Sequence, residues 1–117
     1  MIDKQEIGKF EDFRGLLIWA NKEIIDLDYK YLTIGTMLKG TVRGNHYHKR
    51  ITEKLLLVSG KLKFKLDDEE INLVPGDLVL IPKEKVHTIY NDDAELAVFI
   101  EFKDEDFSKD NPDIHVR

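Results

Sequence analysis

Cysteine is absent from the chain, so no disulfide framework and no thiolate zinc knuckle can organise it. The absence fits a reducing cytosol without deciding the compartment. No run of ~18 apolar residues is present, so no transmembrane helix is expected. The opening Met1-Ile2-Asp3-Lys4-Gln5-Glu6 lacks a basic-then-apolar signal pattern. The reading is a soluble, cytoplasmic protein. Positive charge is in deficit: the net charge is −5, with Lys and Arg scattered among Asp and Glu. No basic block points to nucleic acid, and no basic amphipathic helix points to a membrane surface. No glycine-rich phosphate loop, GxGxxG or GxSxG occurs, so the chain brings no nucleotide-cofactor motif of its own.

What remains is a globular composition. Apolar residues make up 42% of 117 residues. That length is read as one domain, 1–117, which hides roughly two-thirds of its unfolded surface.

The hydrophobic period is two almost throughout. Lys61-Leu62-Lys63-Phe64-Lys65-Leu66 alternates, placing Leu62, Phe64 and Leu66 inward. Asp67 to Glu70 forms a hairpin tip, and Ile71 to Leu73 returns. Val74-Pro75-Gly76-Asp77 is a turn, because proline presets φ and glycine accepts φ > 0. Leu78 to Ile81 is a short apolar strand ending at Pro82. Val86 to Asn91 puts His87, Ile89 and Asn91 on one face. Leu96 to Phe102 is a further strand, as are Leu16–Trp19 and Tyr31–Met37. Asn21–Asp28 reads as loop or helical turn, and 104–117 as a loosely docked arm. Many short strands with turn signals every ~8–12 residues indicate a β-sandwich or barrel.

Within this pattern stand His46 and His48, with Glu53 five residues on and His87 in the later Val86–Asn91 segment. Residues two apart in a strand share a face, so both imidazoles can reach one cation. Glu53 and His87 would complete a mixed N/O shell for a divalent ion such as Zn, Mn, Fe or Ni. Three neutral donors and one anion leave coordination positions open, as a catalytic metal needs. His115, in the polar tail, belongs to no such group.

The spacing of these residues resembles the cupin superfamily. Gly40, His46, His48, Glu53 and Gly60 match G-x5-H-x-H-x4-E-x6-G. Gly76, Pro82, His87 and Asn91 match G-x5-P-x-G-x2-H-x3-N. Glu84 stands where the second motif has glycine, which bears on loop conformation and not on the ligand set. The resemblance implies an all-β cupin double-stranded β-helix, an antiparallel jelly-roll barrel of six to eight strands with its site inside one open end.

Arg43-Gly44-Asn45-His46-Tyr47-His48 is similar to a segment of capsular-polysaccharide enzymes acting on UDP-linked deoxysugars. It also resembles the Arg-Gly-x-His-Tyr segment of dTDP-4-dehydrorhamnose 3,5-epimerase-type enzymes. Thr52-Glu53-Lys54 and Asp12-Phe13-Arg14-Gly15 have counterparts there too. This resemblance implies an epimerase or isomerase of a 4-keto deoxysugar nucleotide, with a metal stabilising an enolate. Arg43 and Asn91 would bind substrate. His46 would serve as ligand or as base; if it is a ligand, the base would be Lys54, a tyrosine such as Tyr90, or metal-bound hydroxide. Alternatives are an iron or manganese dioxygenase or decarboxylase of a small organic acid or diketone, and a ligand-binding cupin without turnover. A homodimer is expected, with Leu16–Trp19 at the interface or in the core.

Overall fold

The computed structural model describes residues 2–19, 29–105 and 113–116. Asn21–Asp28, read as loop or helical turn, lies outside them. All regular elements among the described residues are strands: β1 (Lys4–Glu6), β2 (Gly8–Asp12), β3 (Gly15–Trp19), β4 (Tyr31–Leu38), β5 (Thr41–His46), β6 (Glu53–Ser59), β7 (Leu62–Leu66), β8 (Glu69–Leu73), β9 (Asp77–Ile81), β10 (His87–Asn91) and β11 (Leu96–Lys103). No helix among them is long and apolar enough to cross a membrane.

The strands form a five-stranded sheet, β1-β9-β6-β11-β4, and a four-stranded sheet, β5-β10-β7-β8, with β2-β3 as a separate hairpin. All pairings are antiparallel. The all-β jelly-roll reading holds. The expected six to eight strands undercount it, because short N-terminal strands add to both a sheet and the hairpin.

Alternation fills the space between the sheets. The five-stranded sheet sends in Met37, Leu55, Leu57, Val79, Ile81, Ala97 and Phe99, and the four-stranded sheet Leu62, Phe64, Leu66, Leu73 and Ile89. Phe64 is wholly buried at the centre of this cluster. Burying such a side chain contributes about 1.5–3 kcal/mol. Residues of opposite parity form a second cluster: Ile7, Leu56, Leu78 and Phe102, with Ile18 and Ile100 against them. The five-stranded sheet is therefore apolar on both faces, and Ile18 of the hairpin packs against the outer one. The same face continues onto β4, where Leu32 pairs with Phe102 and Ile34 with Ile100. Leu32 and Ile34 are exposed, as are Leu17 and Trp19 of the hairpin. Trp19 is thus not a core residue.

The arm does not match its expected looseness at 113–116. His115 and Tyr47 exchange two backbone hydrogen bonds, of 2.9 and 3.0 Å. Asp113 is buried, and its carboxylate accepts from the backbone N–H groups of Lys49, Arg50 and Ile51.

Candidate active site

One end of the barrel collects the functional groups. β5 ends there at His46, β10 starts at His87, β6 starts at Glu53, and β11 ends at Glu101 and Lys103. Register makes the neighbours: His46 lies opposite His87, and Glu53 opposite Lys103. The cavity between them measures about 370 Å³ and is lined by residues of both sheets. That falls within the usual range for small-molecule pockets, roughly 300–1,000 Å³.

Local backbone breaks bring the histidines together. Gly44 and Asn45 both adopt positive φ, +102° and +59°. This pair shifts the β5–β10 register at His87/Thr88. Glu84, in the motif position of a glycine, holds φ +69°. The left-handed turn is kept without the glycine, and the Glu84 N–H donates to the His48 carbonyl at 2.7 Å.

The three rings nearly touch. Centroids lie 4.5 Å apart for His46–His87, 5.1 Å for His46–His48 and 5.2 Å for His48–His87. One nitrogen from each falls within 4.8 Å of the others. Glu53 Oε1 contacts His48 Nε2. Glu53 Oε2 and His87 Nδ1 are buried polar atoms with no hydrogen-bond partner, and His48 Nε2 meets the Glu53 carboxylate beside them. Orphaned donors converging in this way fit a divalent cation on chemical grounds.

Charge differs across the cluster. Burial, with His46 and His48 nearby, pushes His87 down to about 4 against the pull of Glu53. Burial and then His48 also lower His46. Burial opposes protonation of His48, but Glu53 and the Asp113 carbonyl outweigh it and raise its pKa. Burial and the Glu53 carboxylate raise Glu101 strongly. Burial alone would raise Glu53, yet Glu101 and His48 bring it down. Two carboxylates this close disfavour each other's charge, and Glu101 is the one pushed toward its protonated form. Lys103 stays charged: burial works against it, while Glu101, Glu53 and Tyr31 raise it. Its ammonium lies 5.1 Å from the Tyr31 ring centroid.

The expected site residues separate on this geometry. His46, His48, Glu53, His87 and Arg43 line one cavity. Arg43 sits exposed at its edge and donates to the Thr36 carbonyl at 3.2 Å. Lys54, Tyr90 and Asn91 are not among the lining residues. Lys54 follows Glu53 and so projects from the opposite face of β6. It lines a small surface depression with Asp3 and Leu80. Tyr90 borders an outer groove with Lys61, Lys63 and Asn72. Asn91 lies four residues from His87, about 13 Å along β10. Its amide donates to the Met37 and Ala94 carbonyls and its oxygen accepts from the Ala94 N–H, so it ties a turn at the far end. Glu101 and Lys103 were not expected. Both share the face of the buried Ala97 and Phe99, a face that alternation defines without telling that it looks into the cavity.

Comparison with known proteins agrees with this architecture. A search of the curated proteins finds no match. Among solved structures, the sugar 3,4-ketoisomerase QdtA from Thermoanaerobacterium thermosaccharolyticum, in complex with TDP, superposes with a TM-score of 0.79 at 23% identity, covering 99% of this chain and 88% of its own. The dTDP-6-deoxy-D-glucose-3,5-epimerase RmlC from Legionella pneumophila, in complex with dTDP-4-keto-L-rhamnose, gives 0.76 at 16% identity, covering 93% and 69%. The capsular polysaccharide assembling protein CapF from Staphylococcus aureus gives 0.67 at 32% identity, covering 77% of this chain and 27% of its own. The Cupin domain family model (Cupin_2) matches residues 33–103, and with the motif residues converging at one barrel end the chain belongs to the cupin family.

Proposed function

We propose that this cupin is an isomerase of nucleotide-linked 4-keto deoxysugars, acting by proton transfer through an enol. One observation carries the reading. His46 on the four-stranded sheet and Glu101 on the five-stranded sheet line the same cavity, with the cations Arg43 and Lys103 beside them. A lowered imidazole supplies a neutral base, and a raised carboxyl supplies an acid. The likeness to a ketoisomerase and an epimerase of dTDP-sugars supports the substrate class.

A ketone at C4 acidifies the C3 proton. His46 removes it, and the electron pair of the C3–H bond forms the enol. Glu101 gives its proton to the C4 oxygen, and Lys103 offsets the developing charge. Returning a proton to C3 from the other face, as O4–H is lost, yields the epimer. Returning one to C4 while O3–H is lost yields the 3-keto isomer. Arg43 binds diphosphate at the mouth through its planar fork.

His46, His48, His87 and Glu53 would hold a divalent metal ion, which when bound polarises the substrate carbonyl. With His46 held in that way, Lys54 and Tyr90 could not take its place as base, because neither lines the cavity. The test is a panel of dTDP- and UDP-linked 4-keto-6-deoxyhexoses in D2O, with and without chelator, beside elemental analysis. The expected result is deuterium at C3, or at C4 of a 3-keto product, and TDP binding that weakens in Arg43→Ala. Absence of exchange across the panel would sink the reading.

The exposed Leu32 and Ile34, which continue the outer apolar face onto β4, are assigned to contact with a second copy of the chain. Light scattering should give a dimer, converted to monomer by Ile34→Asp. A monomeric parent protein excludes it.

A further inference from the structure

We infer that Asp113, in the C-terminal arm, is a positioning residue that holds the loop carrying His48, and so places the His48 ring in the cavity. The three site histidines are not placed in the same way. His46 ends β5 and lies opposite His87 on β10, so sheet register sets that pair. His48 lies beyond the end of β5, before β6 begins at Glu53. No strand register fixes it, yet its ring is buried against both others. Glu53 meets the ring at Nε2, but a side-chain contact does not fix the backbone that carries the ring.

The arm supplies what register does not. A buried stretch outside the sheets needs partners for its backbone N–H groups. The Lys49 N–H donates to Asp113 Oδ1 at 3.1 Å, and the Arg50 and Ile51 N–H groups donate to Oδ2 at 2.7 and 3.1 Å. On the other side of His48, the Tyr47 N–H donates to the His115 carbonyl and the His115 N–H donates to the Tyr47 carbonyl. Their rings lie 5.3 Å apart. His48 is thus clamped before and after in sequence by one short segment. The Asp113 backbone is left-handed, φ +57°, a conformation aspartate tolerates better than most residues. Its carbonyl oxygen lies 2.7 Å from His48 Nδ1, so side chain and main chain of one residue meet the same loop. Ile114, between the two anchors, lines the cavity. A loop made rigid in this way can present a ring as accurately as a strand does.

The arrangement holds whatever ion or reaction the cavity takes, so its test uses neither. NMR of the full wild-type chain should show NOEs from the His48 ring to the His46 and His87 rings. The Arg50 and Ile51 amides should be protected from hydrogen exchange, although neither residue lies in a strand. Absence of either result overturns the inference before any variant is made. Asp113→Asn keeps the shape but offers one accepting oxygen to three donors, and Asp113→Ala offers none. The His48 NOEs should weaken in the first and vanish in the second, with amide protection at Arg50 and Ile51 falling about tenfold or more in Asp113→Ala. The His46–His87 NOE, held by register, should stay in both. A merely stabilising residue would loosen all three ring contacts together. That outcome overturns the inference, as does an unfolded barrel in both variants or a full set of NOEs in both.

Discussion

Replacing His46 with asparagine is expected to lower turnover of a 4-keto sugar nucleotide by about 10²–10⁴-fold, the usual contribution of a positioned base. Asparagine keeps hydrogen-bonding capacity and roughly the ring's reach, but it cannot take a proton. Binding of TDP should change little, because Arg43 and Lys103 remain. The pH profile is a further check. Burial, and then the neighbouring His48, place the His46 pKa below its ordinary 6.5. The base works when neutral, so wild-type activity should persist below pH 6.5 and fall only as pH drops through the lowered value. Two results would count against the role. Turnover within tenfold of wild type would remove His46 from the chemistry. Loss of turnover together with loss of a stoichiometric ion would make His46 a ligand instead of the base.

Much of this site was legible because strand parity is a strong local rule. Glu53, and His87 with Ile89, fall on inward faces once alternation is extended along each strand, while His46 at the end of β5 and His48 just past it line the same cavity. Leu62, Phe64 and Leu66 follow the same rule, and all three are buried. Glu84 illustrates a different kind of legibility. The motif asks for glycine, yet the requirement is a left-handed turn, and Glu84 adopts it. The strain of one non-glycine residue at positive φ is of order 1–3 kcal/mol, which surrounding structure can offset.

What parity could not reveal was which face of a doubly apolar strand looks into the cavity. β11 carries Leu96, Val98, Ile100 and Phe102 on one face and Ala97, Phe99, Glu101 and Lys103 on the other. The bulkier set is the outer one, where Ile100 and Phe102 pack in the second cluster. Size alone therefore hid Glu101. Tyr90 and Lys54 are a different case: each neighbours an inward residue in sequence, so alternation itself turns each outward. Asn91 matched a motif, but its duty is a turn at the opposite end of β10. The arm was illegible for another reason. Its docking rests on one carboxylate accepting three backbone N–H groups some 60 residues away in sequence, which leaves no periodic trace.

Gly44→Ala should be the most damaging small substitution in the site, destabilising the fold by about 2–5 kcal/mol. Two effects act together. At φ +102° an L side chain is strained. A Cβ there would also lie 2.7 Å from the His87 carbonyl oxygen and 3.1 Å from Thr88 Cα. Both are backbone atoms of the paired strand, so neither can swing aside. Gly40→Ala separates the two effects. Gly40 has a similar φ, +81°, but nothing within 4 Å of its Cβ position. It should show only the left-handed penalty, about 1–2 kcal/mol. Thermal unfolding would read the difference as a drop on the order of 10 °C for Gly44→Ala and a few degrees for Gly40→Ala. Because His46 is two residues on and His87 lies directly across, the shift in β10 needed to admit the methyl also separates the rings. Folded Gly44→Ala should accordingly lose turnover well beyond its loss of stability. Equal melting of the two variants would mean that β5 and β10 do not approach as closely at Gly44 as described, and the geometry assigned to the histidine cluster would fall with it.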